Sequence, residues 1–195
     1  EATYVIRATD KAGNVTEYTV YMKPISSVTD IVSGITADNV KSSDEDTVSS
    51  VERQILDIAE AFDDGESTEE EWNKLTAAAA KCKELKQRIS DAKSAAESEE
   101  IKAADGITKD NVKLDDKENL EKAEKALEGA LRDFDGNYTE EENKDLETKL
   151  ETVKAALAAI GNAEKAAEEI GKLPSADGVR LDDKNEVDRV KKLID

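Results

Sequence analysis

The sequence predicts a mainly α-helical fold, made of tandem small three-helix bundles that follow an N-terminal β-hairpin. Three observations support this prediction. Residues 3–22 are rich in β-forming side chains and alternate in polarity, as strands do. From residue 43 onward, apolar residues instead recur at spacings of three and four, which is the helical period. An internal repeat with an offset of 72 residues indicates that the helical part is modular.

The hairpin is predicted from two β-rich segments and the turn between them. The segments are 3–8 and 15–22, and the turn is Asp10-Lys11-Ala12-Gly13-Asn14, whose residue types favour tight chain reversal. Because an isolated hairpin is marginally stable in water, we expect it to complete a sheet or to pack on helices. Residues 9–16 resemble the final hairpin of immunoglobulin-like modules in bacterial surface and secreted proteins. The resemblance implies that the remaining strands lie upstream.

A glycine-containing segment recurs along the chain and divides it into modules. Residues 34–41 are repeated at 106–113, and a third copy lies at 174–183. The predicted segments are a hairpin at 1–24, a linker at 25–42, helical modules at 43–105 and 106–173, and the start of a truncated third module at 174–195. The chain begins inside a strand-like pattern and stops inside an amphipathic one, so we expect it to be a fragment of a larger protein.

Each module begins with a helix that carries one apolar stripe. The stripe consists of Val48, Val51, Ile55, Ile58 and Phe62 in the first module and of Leu120, Ala123, Leu127, Ala130 and Phe134 in the second. Val187, Val190 and Ile194 begin the same stripe a third time. We therefore predict that matching residues are buried at matching places, including Phe62 and Phe134. A helix that continued through Gly65 or Gly136 would contradict this prediction.

A capping box predicts the start of a second helix in each module. Thr68 with Glu71, and Thr139 with Glu142, have the spacing at which each side chain bonds the other residue's backbone amide. The apolar positions that follow are Leu75, Ala79, Cys82 and Ile89 in one module and Leu146, Leu150, Val153 and Ile160 in the other. Cys82 occupies the place of Val153, so we predict a small buried apolar residue rather than a redox group.

A shorter third helix is predicted to complete each bundle. It would cover 91–104 in the first module and 163–173 in the second. Ile101 and Ile170 would anchor these helices to the core of their modules. Each module would then be an up-down-up bundle of about 70 residues, a size that supports only a small core.

The starts of the second helices resemble a known family. Thr68-Glu69-Glu70-Glu71-Trp72 with Leu75 and Ala79, and Tyr138-Thr139-Glu140-Glu141-Glu142 with Leu146, Leu150, Val153 and Leu157, resemble the same region of FIVAR modules. The resemblance implies small three-helix bundles that are repeated in secreted or cell-wall-attached proteins of Gram-positive bacteria. Such modules often follow immunoglobulin-like or catalytic domains, including glycoside hydrolases. The resemblance therefore implies a secreted or cell-wall-associated, carbohydrate-associated parent protein.

The charge balance excludes several classes of function. The 195 residues include 47 acidic and 28 basic side chains, for a net charge of −19, and no histidine. A surface this negative disfavours nucleic acids and anionic lipids, because contacts to phosphate need basic groups. No apolar run approaches the roughly 18 residues of a membrane span, so none is predicted. Without histidine and with a single cysteine, the usual nucleophilic triads are absent, and we predict no catalysis and no cofactor.

The sequence contains a partial pattern for binding one metal, calcium. Asp133, Asp135 and Asn137 have the spacing of the first three ligands of an EF-hand loop. Tyr138 and Lys144, however, stand where that loop needs a glycine and a bidentate glutamate. We therefore expect an ordinary turn between two helices and no metal site.

Two aromatic residues are candidates for a binding surface. Trp72 and Tyr138 both lie near the start of a second helix and could stack on a sugar ring. Trp72 aligns with Asn143 and Tyr138 aligns with Ser67, so the aromatic position is not shared between the modules. Packing at the end of the bundle is the alternative that we favour.

Two functions remain after these exclusions. The first is a non-catalytic accessory or spacer role, in which a monomeric repeat region positions the upstream and downstream modules of the same chain. The second is adhesion, in which a helix face binds a host glycan or a host protein. An exposed apolar patch would favour adhesion, and periodicity alone does not reveal one.

Overall fold

The computed structural model describes the backbone of residues 2–22, 25–61, 68–175 and 177–194. It describes side chains over 5–17, 25–60, 68–175 and 177–192. The chain divides into two compact units, Glu1–Ala92 and Lys93–Asp195. Within the described residues, no helix is both long and apolar enough to cross a bilayer.

The fold is mainly helical with an N-terminal two-stranded antiparallel sheet, as predicted. The first unit contains β1 (Ala2–Thr9), β2 (Val15–Met22), α1 (Ser26–Ser33), a 3-10 turn (Ser42–Asp44), α2 (Glu45–Ala61) and most of α3 (Glu69–Ala96). The second unit continues with α4 (Glu99–Lys102), a 3-10 turn (Leu114–Asp116), α5 (Lys117–Asp133), α6 (Glu140–Gly171), a 3-10 turn (Leu181–Asp183) and α7 (Lys184–Ile194).

The hairpin forms where the sequence predicted it. Thr9 pairs with Val15 next to the turn, and the register continues to Ala2 opposite Met22. One carboxylate oxygen of Asp10 accepts hydrogen bonds from the amides of Ala12 and Asn14 at 2.8 and 2.9 Å. This side chain therefore closes the turn by satisfying amides that the strands leave unpaired.

The core of the first unit joins α1, α2 and α3. Its buried residues are Val28, Val32, Val40, Val48, Val51, Ile55, Leu75, Ala78, Cys82, Leu85 and Ile89. α1 lies inside the segment 25–42, so the prediction that this segment is only a linker is wrong. Val28 and Val32 are four residues apart, so both point to one face of α1 and pack into this core.

The core of the second unit has the same character. Its buried residues include Ile101, Ala104, Leu120, Ala123, Leu127, Ala130, Leu146, Val153, Ala156 and Ile160. α5 packs against α4 and α6, and α6 also packs against α7. Buried alanines are frequent in this core, which allows helix backbones to approach closely.

The predicted stripe of the first long helix is confirmed at most of its described positions. Val48 and Leu120 are buried, as are Ile55 and Leu127. Phe134 is half-buried rather than buried, and Phe62 lies outside the described residues. The helix does not continue through Gly136, which has a φ of +84° between the end of α5 and the start of α6. Gly65 lies outside the described residues.

The third helix predicted at 91–104 is present only in part, as the short α4 in which Ile101 is buried. The separate helix predicted at 163–173 is wrong, and its expected anchor Ile170 is 47% exposed. α3 runs without a break through Asp91 to Ala96, and α6 runs through Ala163 to Gly171. No proline interrupts either stretch, and alanine-rich sequence favours continuation of a helix. Gly161 is tolerated inside α6, where a glycine costs about 1 kcal/mol relative to alanine.

Replacing Leu120 with alanine should lower the free energy of unfolding by about 2–5 kcal/mol, because the change leaves a cavity in the second core. Chemical denaturation followed by circular dichroism measures this loss. Leu114→Ala is the matched control, since Leu114 is 60% exposed and its truncation should change stability by less than about 0.5 kcal/mol. Equal losses for both variants would contradict the burial of Leu120.

Candidate functional site

The two aromatic candidates lie in different surroundings. Trp72 lies in the first turn of α3 and is 47% exposed. Tyr138 immediately precedes α6 and is only 6% exposed. Its ring centroid lies 6.5 Å from that of Phe134, with the ring planes inclined at 59°, a favourable arrangement for an aromatic pair. Tyr138 therefore packs at a helix end, whereas Trp72 presents much of its ring to solvent.

A small cleft opens beside Tyr138. It has a volume of about 200 Å³ and is lined by Lys93, Ala96, Glu97, Tyr138, Glu142, Asp145, Leu146 and Lys149. Ligand sites for drug-sized molecules have volumes of roughly 300–1,000 Å³. The cleft is therefore smaller than most such sites, and its walls carry charges of both signs.

Both predicted capping boxes are present and hold the starts of α3 and α6. The Glu142 carboxylate accepts a hydrogen bond from the Thr139 amide at 2.8 Å, and the Thr139 hydroxyl accepts one from the Glu142 amide at 3.2 Å. Thr68 and Glu71 form the same pair of bonds at 3.0 and 3.3 Å. Hydrogen bonds from Thr68 to the Glu71 carboxylate lower the pKa of that group.

The segment that repeats most faithfully forms a turn held by its own side chains. We call residues 34–44, 106–116 and 174–183 the repeat turns. In the first repeat turn, the Asn39 side-chain oxygen accepts a hydrogen bond from the Thr36 amide at 2.6 Å. The Asn39 amide group donates to the Gly34 carbonyl at 3.3 Å, so this side chain bridges both ends of the loop. The Lys41 amide then donates to the Asp44 carboxylate at 2.8 Å.

The second repeat turn has the same bonds at equivalent atoms. The Asn111 oxygen accepts from the Thr108 amide at 2.7 Å, and its amide group donates to the Gly106 carbonyl at 2.9 Å. The Lys113 amide donates to the Asp116 carboxylate at 2.8 Å. The repeat is evident in the sequence, whereas these bonds were not predicted from it. The signal for them was the spacing of three residues from Thr to Asn and from Lys to Asp.

The repeat turns also carry apolar residues toward the cores of their units. Val40 is fully buried, and Ile35 is half-buried against the first core. Ile107 and Val112 are the equivalents in the second unit, and both are half-buried. Val40 and Ile35 therefore pack with the first core, and Ile107 lies beside Ile101 and Leu127 in the second unit.

A second cleft lies under the repeat turn of the second unit. It has a volume of about 220 Å³, and its lining includes Ile101, Ala104, Ile107, Leu127, Val153 and the ion pair of Lys149 with Asp105. Ala104 is 72 residues beyond Val32, which is buried in the first core. The second unit therefore has a smaller side chain beside the cleft than the first unit has at the same repeat position.

The residues of the incomplete calcium pattern form the turn between α5 and α6. Asp133 accepts two hydrogen bonds from the Arg132 guanidinium at 2.8 and 3.0 Å, and Asn137 is fully buried. Among the described residues, no three side chains of histidine, cysteine, aspartate or glutamate lie close enough together to hold a metal ion.

Cys82 is fully buried in the core of the first unit, as predicted. Burial raises the pKa of its thiol, because the thiolate would lose its hydration. A thiol with a raised pKa and no access to solvent is a poor nucleophile. Cys82 is therefore a packing residue of the first core.

No protein-family model, curated protein or solved structure matches this chain. The class of the protein therefore rests on the fold itself, which is mainly helical with an N-terminal two-stranded antiparallel hairpin. The resemblances to FIVAR and immunoglobulin-like modules stay hypotheses from the sequence.

The Cys82 thiol should not react with a maleimide over hours in the folded protein and should react completely in denaturant, because burial excludes the reagent. Mass spectrometry counts the modified chains. A variant with Cys82→Val and Ala80→Cys is the control, since residue 80 lies exposed on the same helix and should react at once. Rapid reaction of native Cys82 would show that the first core opens readily.

Ala104→Val should raise the free energy of unfolding by about 0.5–1 kcal/mol, because the added methyl groups fill the cleft with the side chain found at position 32. The reciprocal change Val32→Ala should cost about 1–3 kcal/mol in the first core. Chemical denaturation measures both. If Ala104→Val destabilised the protein, the cleft would be occupied by neighbouring groups rather than underpacked.

Proposed function

We propose that this chain is a non-catalytic spacer region of a secreted or cell-surface bacterial protein, and that it positions other modules of that protein. The observation that carries the proposal is the repeat turn, which is closed twice by the same set of hydrogen bonds. The secreted or cell-surface setting rests on the resemblance to FIVAR and immunoglobulin-like modules.

A spacer must limit bending at the loops between its helices. Surface loops are usually the most mobile parts of a fold. In the first two repeat turns, side-chain bonds satisfy amides and a carbonyl that a loose loop would leave to water. Each such bond contributes about 0.5–1.5 kcal/mol net, so the two bonds of one asparagine bias the turn toward one conformation.

Long helices give a spacer its reach. α3 has 28 residues and α6 has 32, well above the usual helix length of about 11–12 residues. At a rise of 1.5 Å per residue, α6 alone extends for about 48 Å. Ion pairs between helices support these elements, such as Lys86 with Glu52 at 2.5 Å and Lys154 with Glu128 at 2.7 Å.

We further propose that each module consists of a short helix, a repeat turn and two longer helices. On this proposal, α1, α2 and α3 form the first three-helix bundle, and α4, α5 and α6 form the second. Packing of α1 on α2 and of α4 on α5 supports this grouping. The hairpin would belong to an immunoglobulin-like module upstream, and the net charge of −19 favours a monomer through mutual repulsion.

Adhesion to a host glycan or host protein is the second candidate function. The observation that favours it is Trp72, which is 47% exposed at the start of α3. Exposed tryptophan is enriched where proteins recognise partners. A glycan and host-protein array tests this candidate, with Trp72→Ala as the variant that should lose binding and Tyr138→Phe as the control that should keep it.

The spacer proposal predicts that the repeat turn limits the distances sampled by helices on either side of it. With Cys82 replaced by valine, spin labels at positions 50 and 125 place one probe on α2 and one on α5, both at exposed sites. Asn111→Ala should broaden the distance distribution between the labels, because the turn loses both bonds of that side chain. Double electron–electron resonance measures this distribution.

Asn162→Ala is the matched control for that experiment. Asn162 is exposed on α6 and lies outside the repeat turns, so its replacement should leave the distribution unchanged. A distribution that is as broad in the unmutated chain as in Asn111→Ala would remove the physical support for a spacer.

A further inference from the structure

The cleft under the second repeat turn has an apolar floor that suits a small hydrocarbon group. Its volume is about 220 Å³, and its apolar lining consists of Ile101, Ala104, Ile107, Leu127 and Val153. Engineered protein cavities of about 150 Å³ with linings of this kind bind benzene. The cleft is therefore large enough for one ring or one short branched chain, and it is too small for a drug-sized ligand.

The polar side chains around this floor offer hydrogen-bond acceptors. The Thr148 hydroxyl donates its proton to the Lys144 carbonyl at 2.8 Å, and the Thr152 hydroxyl donates to the Thr148 carbonyl at 2.9 Å. Each hydroxyl oxygen keeps lone pairs that can accept a further bond. The Asp105 carboxylate, also in the lining, is an acceptor as well. These groups suit a ligand that donates hydrogen bonds.

Lys149 is positioned to give up its place at the mouth of the cleft. Apart from the threonine hydroxyls, it is the only side chain with a hydrogen-bond donor among the lining residues, all of which the structure describes. It pairs with Asp105 at 3.2 Å, and the two side chains are 47% and 57% exposed, so the pair contributes little to stability.

Asp145 offers Lys149 another partner. It lies four residues earlier on α6, at a spacing that favours an ion pair, and both residues line the cleft beside Tyr138. Lys149 can therefore exchange Asp105 for Asp145. This exchange leaves the Asp105 carboxylate to a ligand.

The first unit lacks this combination of groups. Val32 and Ser33 stand 72 residues before Ala104 and Asp105, so the equivalent place has a larger apolar side chain and no carboxylate. The pairing of an apolar floor with an acidic mouth is therefore specific to the second unit.

We propose that the cleft under the second repeat turn binds a small primary amine that carries one branched or ring-shaped hydrocarbon group. The hydrocarbon group lies on the apolar floor, and the ammonium group donates to Asp105 and to the hydroxyls of Thr148 and Thr152. An ammonium group has three donors and no acceptor, which matches these partners. The net charge of −19 attracts cations to the protein and repels carboxylates. The inference does not depend on the spacer role, because it concerns the interior of one unit.

Methyl NMR of the full chain tests the site with three ligands of the same branched body: isoamylamine, isoamyl alcohol and isovalerate. The amine should shift the methyl signals of Ile101, Leu127 and Val153 with a Kd of roughly 1–10 mM, a range that so small a ligand can reach. The alcohol should bind about tenfold more weakly, because it makes no charge-assisted bond, and the carboxylate should cause no shift. Equal binding of the three ligands would overturn the assignment of an amine.

Substitutions of the two charged residues at the mouth should act in opposite directions. Asp105→Ser introduces the residue of the first unit and should weaken amine binding by roughly three- to tenfold, because the ammonium group loses its carboxylate. Lys149→Gln should tighten binding by roughly two- to fivefold, because it removes the competing ammonium group. Asp110→Ser is the matched control, since Asp110 is an exposed residue of the same turn outside the lining, and it should leave the Kd unchanged.

Ala104→Val tests the apolar floor, because the larger side chain occupies part of the cleft and should abolish the methyl shifts. Ala103→Val is its control, since Ala103 is the exposed neighbour outside the lining, and this variant should bind the amine normally. Unchanged binding in Ala104→Val would overturn the proposal. So would weaker binding in Lys149→Gln, or methyl signals that do not move at roughly ten times the expected Kd.

Discussion

The bridging asparagine of the repeat turn is the interaction on which much of the described structure depends. Asn39 and Asn111 each bond the backbone at two places, and each fixes the loop that leads into a long helix. The direction in which the chain enters α2 or α5 determines which face of that helix packs against neighbouring helices. Burial of Val40 in the first turn couples this local geometry directly to the core. A loop that is closed in this way acts as part of the fold, because its bonds and its buried side chain must form together.

The cores of both units are small and built from short side chains. Alanine, valine, leucine and isoleucine account for nearly all their buried positions, and aromatic residues are only 4% of the chain. Because short side chains each bury little apolar area, a core of this kind gives modest stability to its unit. The acidic surface adds repulsion, which the ion pairs between helices offset only in part.

The repeat turns differ in a graded way along the chain. The first has the bridging asparagine and a buried valine, and the second has the same bridge with a half-buried valine. The third has neither the bridge nor a buried valine. The residue at one turn position therefore decides whether a side chain can bridge the ends of the loop.

Local patterns in the sequence determined the hairpin, the stripes of α2 and α5, both capping boxes and the burial of Cys82. Each of these depends on residues close together in the chain or on a regular spacing that one helix face imposes. The tertiary structure decided where α3 and α6 end, because alanine-rich sequence continues a helix until packing or a cap ends it. It also decided that Tyr138 is buried against Phe134 while Trp72 is exposed, although both lie near the start of a helix. Burial of a side chain depends on which other segments pack over it, and the sequence of one segment does not specify those segments.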